Sequence, residues 1–130
     1  MPRKKGNKPT DSECLILHVI WERKSATVRE VFDVLKEEHD MGYTTVLKFM
    51  QIMTEKGLLE RNTEVRPQVY RAAESRQKTQ KTLLNDLLDR AFGGSPGNLA
   101  LQALSMRKST PEELRELRRL LDKLEKGVVS

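Results

Sequence analysis

Long hydrophobic runs are absent from this 130-residue chain: the longest continuous apolar stretches are Cys14–Leu17 and Val19–Trp21. A membrane-spanning helix needs roughly 20 apolar residues in a row, so no membrane insertion is expected. Cysteine is nearly absent as well, and Cys14 alone excludes an intramolecular disulfide and a cysteine zinc cluster. Histidine is limited to His18 and His39. Cys14 and His18 are four apart, a spacing that suits two ligands on one helix, but a helical cysteine is usually core, and no metal site is assigned. There is no glycine-rich phosphate loop and no nucleophile–base–orienter set, so neither an enzyme nor a cofactor is expected. The opening MPRKKGNKPT is basic but leads into no signal-type apolar stretch, and a cytoplasmic location is the expectation.

What is abundant is charge. Charged residues make up 33% of the chain against 5% aromatics, with 24 Lys and Arg, 19 Asp and Glu and a net charge of +5. The surplus is unevenly placed. Residues 1–74 hold 13 basic and 12 acidic residues, a net +1, and residues 75–130 hold 11 and 7, a net +4. A polyanion-binding surface in the first part would therefore rest on segregation of charge, not on its total. The segregation is visible: Arg3, Lys4, Lys5 and Lys8 form a basic arm, Arg61, Arg66 and Arg71 recur every five residues, and Glu37, Glu38 and Asp40 form an acidic block.

Read along the chain, residues 1–9 have no apolar face and form a disordered basic arm, either a loose DNA contact or an aid to solubility. Thr10-Asp11-Ser12-Glu13 is a capping box that opens a helix to about Glu22, apolar on most sides and so buried on several faces. Thr27-Val28-Arg29-Glu30 is a second box, followed by Val28, Val31, Phe32 and Leu35 at helical spacing to near His39. After a turn with Gly42 as N-cap, a third helix runs from about Tyr43 to Lys56 and stops at Gly57, with Val46, Phe49, Met50 and Met53 on its inner side. Leu58–Thr63 and Gln68–Ala73 read as a β-hairpin with a loop of four residues or more, Pro67 lying at the loop end. Three helices and a hairpin are the order of a winged helix-turn-helix domain, assigned to residues 10–74.

Residues 75–130 read as three helices: Ser75 to about Phe92, a short helix capped by Ser95-Pro96, and one opened by the box Thr110-Pro111-Glu112-Glu113. Leu84, Leu87, Leu88, Leu99, Leu104, Leu114, Leu117, Leu121 and Leu124 form long stripes over a thin core, which a second copy would complete. The fold class is mainly α with a small β-hairpin, a winged-helix domain followed by a helical dimerisation region.

The outer face of the third helix carries Thr44, Lys48, Gln51 and Glu55, flanked by Thr45 on one side and Leu47 on the other. The second helix of a helix-turn-helix lies in the major groove with its N-terminal residues at base edges. Thr can bond a base or meet a thymine methyl, Gln can pair with adenine, and Lys can reach guanine or phosphate. The alternative is a solvated helix face. Threonines are poor helix formers, and their place early in a helix after a tight turn favours groove contact. Arg66 at the hairpin tip could touch a phosphate or enter a minor groove, or be an ordinary turn residue. Arg29 could meet a backbone phosphate beside its helix N-terminus, or be solvated or paired with Asp33.

Pro9-Thr10 with Glu13, Leu17 and Trp21, then Ala26–Val31, then Tyr43-Thr44-Thr45-Val46-Leu47 with Gln51 and Glu55-Lys56-Gly57-Leu58 resemble the three DNA-binding helices of the penicillinase-repressor family of bacterial regulators (BlaI/MecI type). Val69-Tyr70-Arg71 resembles its returning wing strand. Leu87-Leu88-Asp89, Phe92–Pro96 and Ser109–Leu121 resemble its dimerisation region. The resemblance implies a homodimeric winged-helix repressor on an inverted-repeat operator in double-stranded DNA. It makes Thr44 and Thr45 base readers and adds Tyr43 to the candidate DNA-binding set of Arg29, Lys48, Gln51 and Arg66. Three departures stand out. Gln51-Ile52-Met53 replaces the common Gln-Arg-Leu, which removes a phosphate-contacting arginine. Gln102-Ala103 stands near where some members have the Asn-Phe bond cut after a membrane sensor protease is triggered, which argues against that partner. The chain ends Lys126–Ser130, without the cysteine cluster of the copper-responsive branch. The competing reading is a winged-helix protein-interaction module without sequence-specific DNA binding, and residues alone leave open repression or activation.

Overall fold

The structure, a computed structural model, describes residues 8–127. The elements follow in the order α1 (Asp11–Arg23), α2 (Val28–Glu38), α3 (Tyr43–Glu55), β1 (Leu59–Asn62), β2 (Val69–Ala72), α4 (Arg76–Ala91), α5 (Pro96–Met106) and α6 (Pro111–Glu125). The fold is thus a winged helix-turn-helix followed by three helices. The expected basic arm falls mostly outside the described residues, but Pro9 is buried and belongs to the folded part.

All three capping boxes close. The Thr10 hydroxyl accepts from the Glu13 N–H at 3.3 Å while Glu13 accepts from the Thr10 N–H at 2.9 Å. The corresponding distances are 3.1 and 2.8 Å for Thr27 and Glu30, and 3.0 and 2.8 Å for Thr110 and Glu113. Each box satisfies two amides that a helix start otherwise leaves unpaired. α3 ends in a Schellman motif: Gly57 takes φ +83°, its N–H donates to Thr54 O at 3.1 Å, and the Leu58 N–H donates to Met53 O at 2.8 Å. Leu58 and Met53, the apolar pair of that motif, are both buried.

Ile16, Leu17 and Ile20 of α1, Val31 and Leu35 of α2, Val46, Met50 and Met53 of α3, and Leu58, Leu59 and Tyr70 of the hairpin form one core. α1 is buried along most of its circumference, as its all-round apolar sequence requires. β1 and β2 are antiparallel, with Leu59 opposite Ala72 and Arg61 opposite Tyr70. The connection spans 63–68, longer than four residues, because the strand pairing ends at Asn62 and Val69 and leaves Thr63 and Gln68 in the loop. Ala26 adds a third, one-residue strand: it exchanges two backbone bonds with Tyr70, at 2.9 and 2.8 Å. The wing is thereby tied to the segment that leads into α2.

The chain divides into two compact units, one to Asn85 and one from Asp86. The change in composition at Ser75 precedes that division because the first turns of α4 pack with the winged helix: Thr79 is buried, and Arg76 lies on Trp21. In the second unit α4 ends at Gly93-Gly94, both at positive φ, and Ser95 caps α5 by accepting from the Asn98 N–H at 3.1 Å. No described residue from Asp86 onward is buried.

Candidate nucleic-acid interface

The start of α2, the start of α3 and the hairpin loop converge on one groove. Its volume is about 250 Å³, and Arg29, Tyr43, Leu47, Arg66, Gln68 and Tyr70 are among its walls. Two arginines line it and no carboxylate does. The Tyr70–Ala26 bonds fix Tyr70 in its lining, and the α2 capping box fixes the helix start that carries Arg29.

Arg29 is held by aromatic rings and not by the carboxylate that its spacing suggested. Its guanidinium lies 4.9 Å from the centroid of the Tyr43 ring and 5.5 Å from that of Phe32. Those rings meet edge to face at 5.6 Å. Asp33 pairs instead with Lys36 at 3.3 Å. A guanidinium stacked on a ring face keeps its charge and its outward donors while losing side-chain freedom. Phe32, read as core from its spacing, is half-buried and serves as a platform for both Arg29 and Lys36. The α2 N-terminus is already occupied by an anion: Glu30 accepts from the Thr27 N–H and pairs with Arg23 at 2.8 Å. The backbone bond from Thr27, then the nearby Arg23, holds the Glu30 carboxyl below the ordinary glutamate range.

Thr44, Thr45, Lys48 and Gln51 lie exposed on the outer side of α3, beside the groove and not within it. Among the described residues, none of their side chains takes part in a hydrogen bond or ion pair. Arg66 is likewise without an ion pair, in contrast to Arg23, Lys36, Lys56, Arg71 and Arg76, each of which has a carboxylate partner. Glu37, Glu38 and Asp40 are exposed, and none lines the groove.

The hairpin arginines do not form one row. Arg61 stands opposite Tyr70, next along β2 from Arg71, so Arg61 and Arg71 project to opposite faces. Arg71 is spent on its cross-strand neighbour Glu60, with Nη2 at 2.7 Å from the carboxylate. Of the three, only Arg66 reaches the groove. Glu13 is a further residue whose role the capping pattern only half reveals: it is 2% exposed and accepts from Lys56 Nζ at 2.7 Å. This ion pair ties the N-terminus of α1 to the C-cap of α3.

The sequence profile of the penicillinase repressor family matches residues 9–123. The chain belongs to the penicillinase repressor family. Relatives of this penicillinase repressor family member span both of its units. It is 30% identical over 118 residues to the transcriptional regulator BlaI of Mycobacterium tuberculosis (strain ATCC 25618 / H37Rv), covering 90% of this chain and 85% of that one. It is 22% identical over 115 residues to the methicillin resistance regulatory protein MecI of Staphylococcus aureus (strain N315), covering 88% and 93%. MecI of Mammaliicoccus sciuri matches to the same extent. BlaI is a transcriptional regulator and MecI a regulatory protein, and this family member is a transcription regulator and not an enzyme. No helix among the described residues is long and apolar enough to cross a membrane.

Proposed function

We propose that this penicillinase repressor family member represses transcription by binding an inverted-repeat operator in double-stranded DNA as a homodimer, in the cytoplasm. The observation that carries the reading is where cations are left unneutralised. Among the described residues, Arg29 and Arg66 line a groove that has no carboxylate and Lys48 stands exposed beside it, none of the three paired with an acid, while Arg23, Lys56, Arg71 and Arg76 each have a carboxylate partner. In this reading Thr44, Thr45 and Gln51 read base edges from α3, and Lys48 reaches guanine or phosphate. Arg29 and Arg66 clamp the backbone on either side, with Tyr43 between them.

Dimerisation rests on the second unit. Leu87, Leu104, Leu114, Leu121 and Leu124 are between 38 and 57% exposed, and Leu88, Leu99 and Leu117 are half-buried. Such a surface on three short helices lacks the burial that stabilises a fold, and a second copy supplies it. A dimer would also match the two-fold symmetry of an inverted repeat. Cleavage by a sensor protease is not part of the reading, because Gln102 and Ala103 lie inside α5 and carry no Asn-Phe bond.

Selection of bound duplexes from a random pool tests the proposal. It predicts enrichment of one half-site motif in inverted repeat. A protein that enriches no sequence but is recovered in a stable heteromer would instead support the interaction-module reading.

A further inference from the structure

Arg76 opens α4, beyond the winged helix, yet it is clasped by the end of α1. Its guanidinium lies 5.6 Å from the centroid of the Trp21 ring, and Nη2 donates to Glu22 Oε2 at 2.9 Å. Among the described residues, the Nε of Arg76 and the indole N–H of Trp21 are buried without a hydrogen-bond partner, so stacking is what holds the two groups together. One turn later Thr79 is 5% exposed, and the first compact unit runs on to Asn85. The Arg76 bond draws the Glu22 carboxyl below the ordinary glutamate range. No part of this cluster belongs to the groove or to the outer face of α3.

We infer that Arg76 is a positioning residue for operator spacing: by binding the start of α4 to Trp21 and Glu22, it limits where the helix leading to the dimerisation region departs from the DNA-reading domain. The inference rests on the proposed homodimeric DNA binding. The physical argument is one of tether stiffness. Two reading heads joined by a stiff connection engage two half-sites together only when their separation matches the connection. A loose connection tolerates several separations at the cost of a lower effective concentration at the best one. A helix that began freely at Ser75 would be such a loose connection. A helix clasped in its first turn, with its next turn buried, instead leaves the reading domain from one fixed point.

The test uses the full chain, palindromic duplexes selected from a random pool, and variants of them with the half-sites moved apart or together by about two base pairs, a fraction of a helical turn. Wild-type protein is expected to prefer the selected spacing about ten-fold or more over the shifted ones. Arg76→Ala is expected to flatten that preference to within about two- to three-fold, with affinity for a single half-site and the sedimentation of the dimer unchanged. Glu22→Gln alters an exposed side chain of the clasp, and should give an intermediate preference. Trp21 is the only tryptophan in the chain, so its emission reports the clasp directly and should shift in Arg76→Ala. An Arg76→Ala protein that keeps the wild-type spacing preference, or loses half-site affinity in the same proportion, overturns the inference and leaves the proposed function standing. Wild-type protein that binds no palindrome overturns both.

Discussion

The guanidinium of Arg29 lies 4.9 Å from the centroid of the Tyr43 ring, which joins the second residue of α2 to the first residue of α3. A cation propped in this way is organised before DNA arrives. Arg29→Ala is expected to weaken all duplexes alike and to reduce the slope of log affinity against log salt by about one. Tyr43→Ala leaves the arginine unpropped and should lower affinity about five-fold, while Tyr43→Phe keeps the ring and most of the affinity. Fluorescence anisotropy across a salt series measures both.

Thr45 and Lys48 occupy the same exposed face of α3 but are expected to fail differently. Thr45→Ala should relax sequence preference at one base position, by about 1–3 kcal/mol of discrimination. Lys48→Ala should weaken binding and reduce its salt dependence. Competition between the selected duplex and single-base variants separates the two effects.

Lys56 neutralises the buried Glu13 carboxylate. Lys56→Ala strands that charge among apolar side chains and is expected to cost roughly 2–4 kcal/mol, the lower part of the range for breaking a buried pair because Lys56 is partly exposed. Combining it with Glu13→Gln, which keeps a side-chain oxygen for the Thr10 N–H, should recover a large part of the loss. Urea denaturation of the two variants gives the comparison.

These contacts mark where sequence reading succeeds and where it stops. The capping boxes at Thr10, Thr27 and Thr110 are legible because both partners lie within four residues. So are the outward positions of Thr44, Thr45, Lys48 and Gln51, which follow from the 3.6-residue period once Val46, Met50 and Met53 face inward. The Ala26–Tyr70 strand and the Glu13–Lys56 pair join residues 44 and 43 positions apart, and no local pattern announces either. The five-residue recurrence of Arg61, Arg66 and Arg71 misleads because side chains alternate faces along a strand, and Arg61 lies one residue out of register with Arg71, whose partner is Glu60, so the two take opposite faces. The stack of Arg29 on Tyr43 depends on how α2 and α3 cross, which spacing within either helix does not specify.

Cys14 is half-buried, and burial, then the neighbouring Asp11 and Glu13 carboxylates, push its thiol above the ordinary range. Native protein should therefore react with iodoacetamide near pH 8 more slowly than protein unfolded in urea. The sign of the linkage follows. The folded state favours the protonated thiol, so this contribution to stability is complete below the unfolded pKa of about 8.5 and is lost as pH rises through the higher folded value.

The leucines of α6 are expected to be covered by a second copy. Leu121→Asp places a charge where the proposed interface is apolar and should shift the protein to monomer at micromolar concentration, while leaving the winged helix folded. Sedimentation velocity reads the first effect and circular dichroism the second. Wild-type protein that sediments as a monomer in the same conditions would contradict the dimer.

The central claim is sequence-specific binding to DNA, and a salt titration of affinity on two duplexes tests it most directly. One carries the selected inverted repeat and the other its scrambled sequence. At physiological salt the repeat should bind about a thousand-fold more tightly, and both affinities should fall steeply as salt rises. Equal affinity for the two duplexes throughout the titration would contradict it.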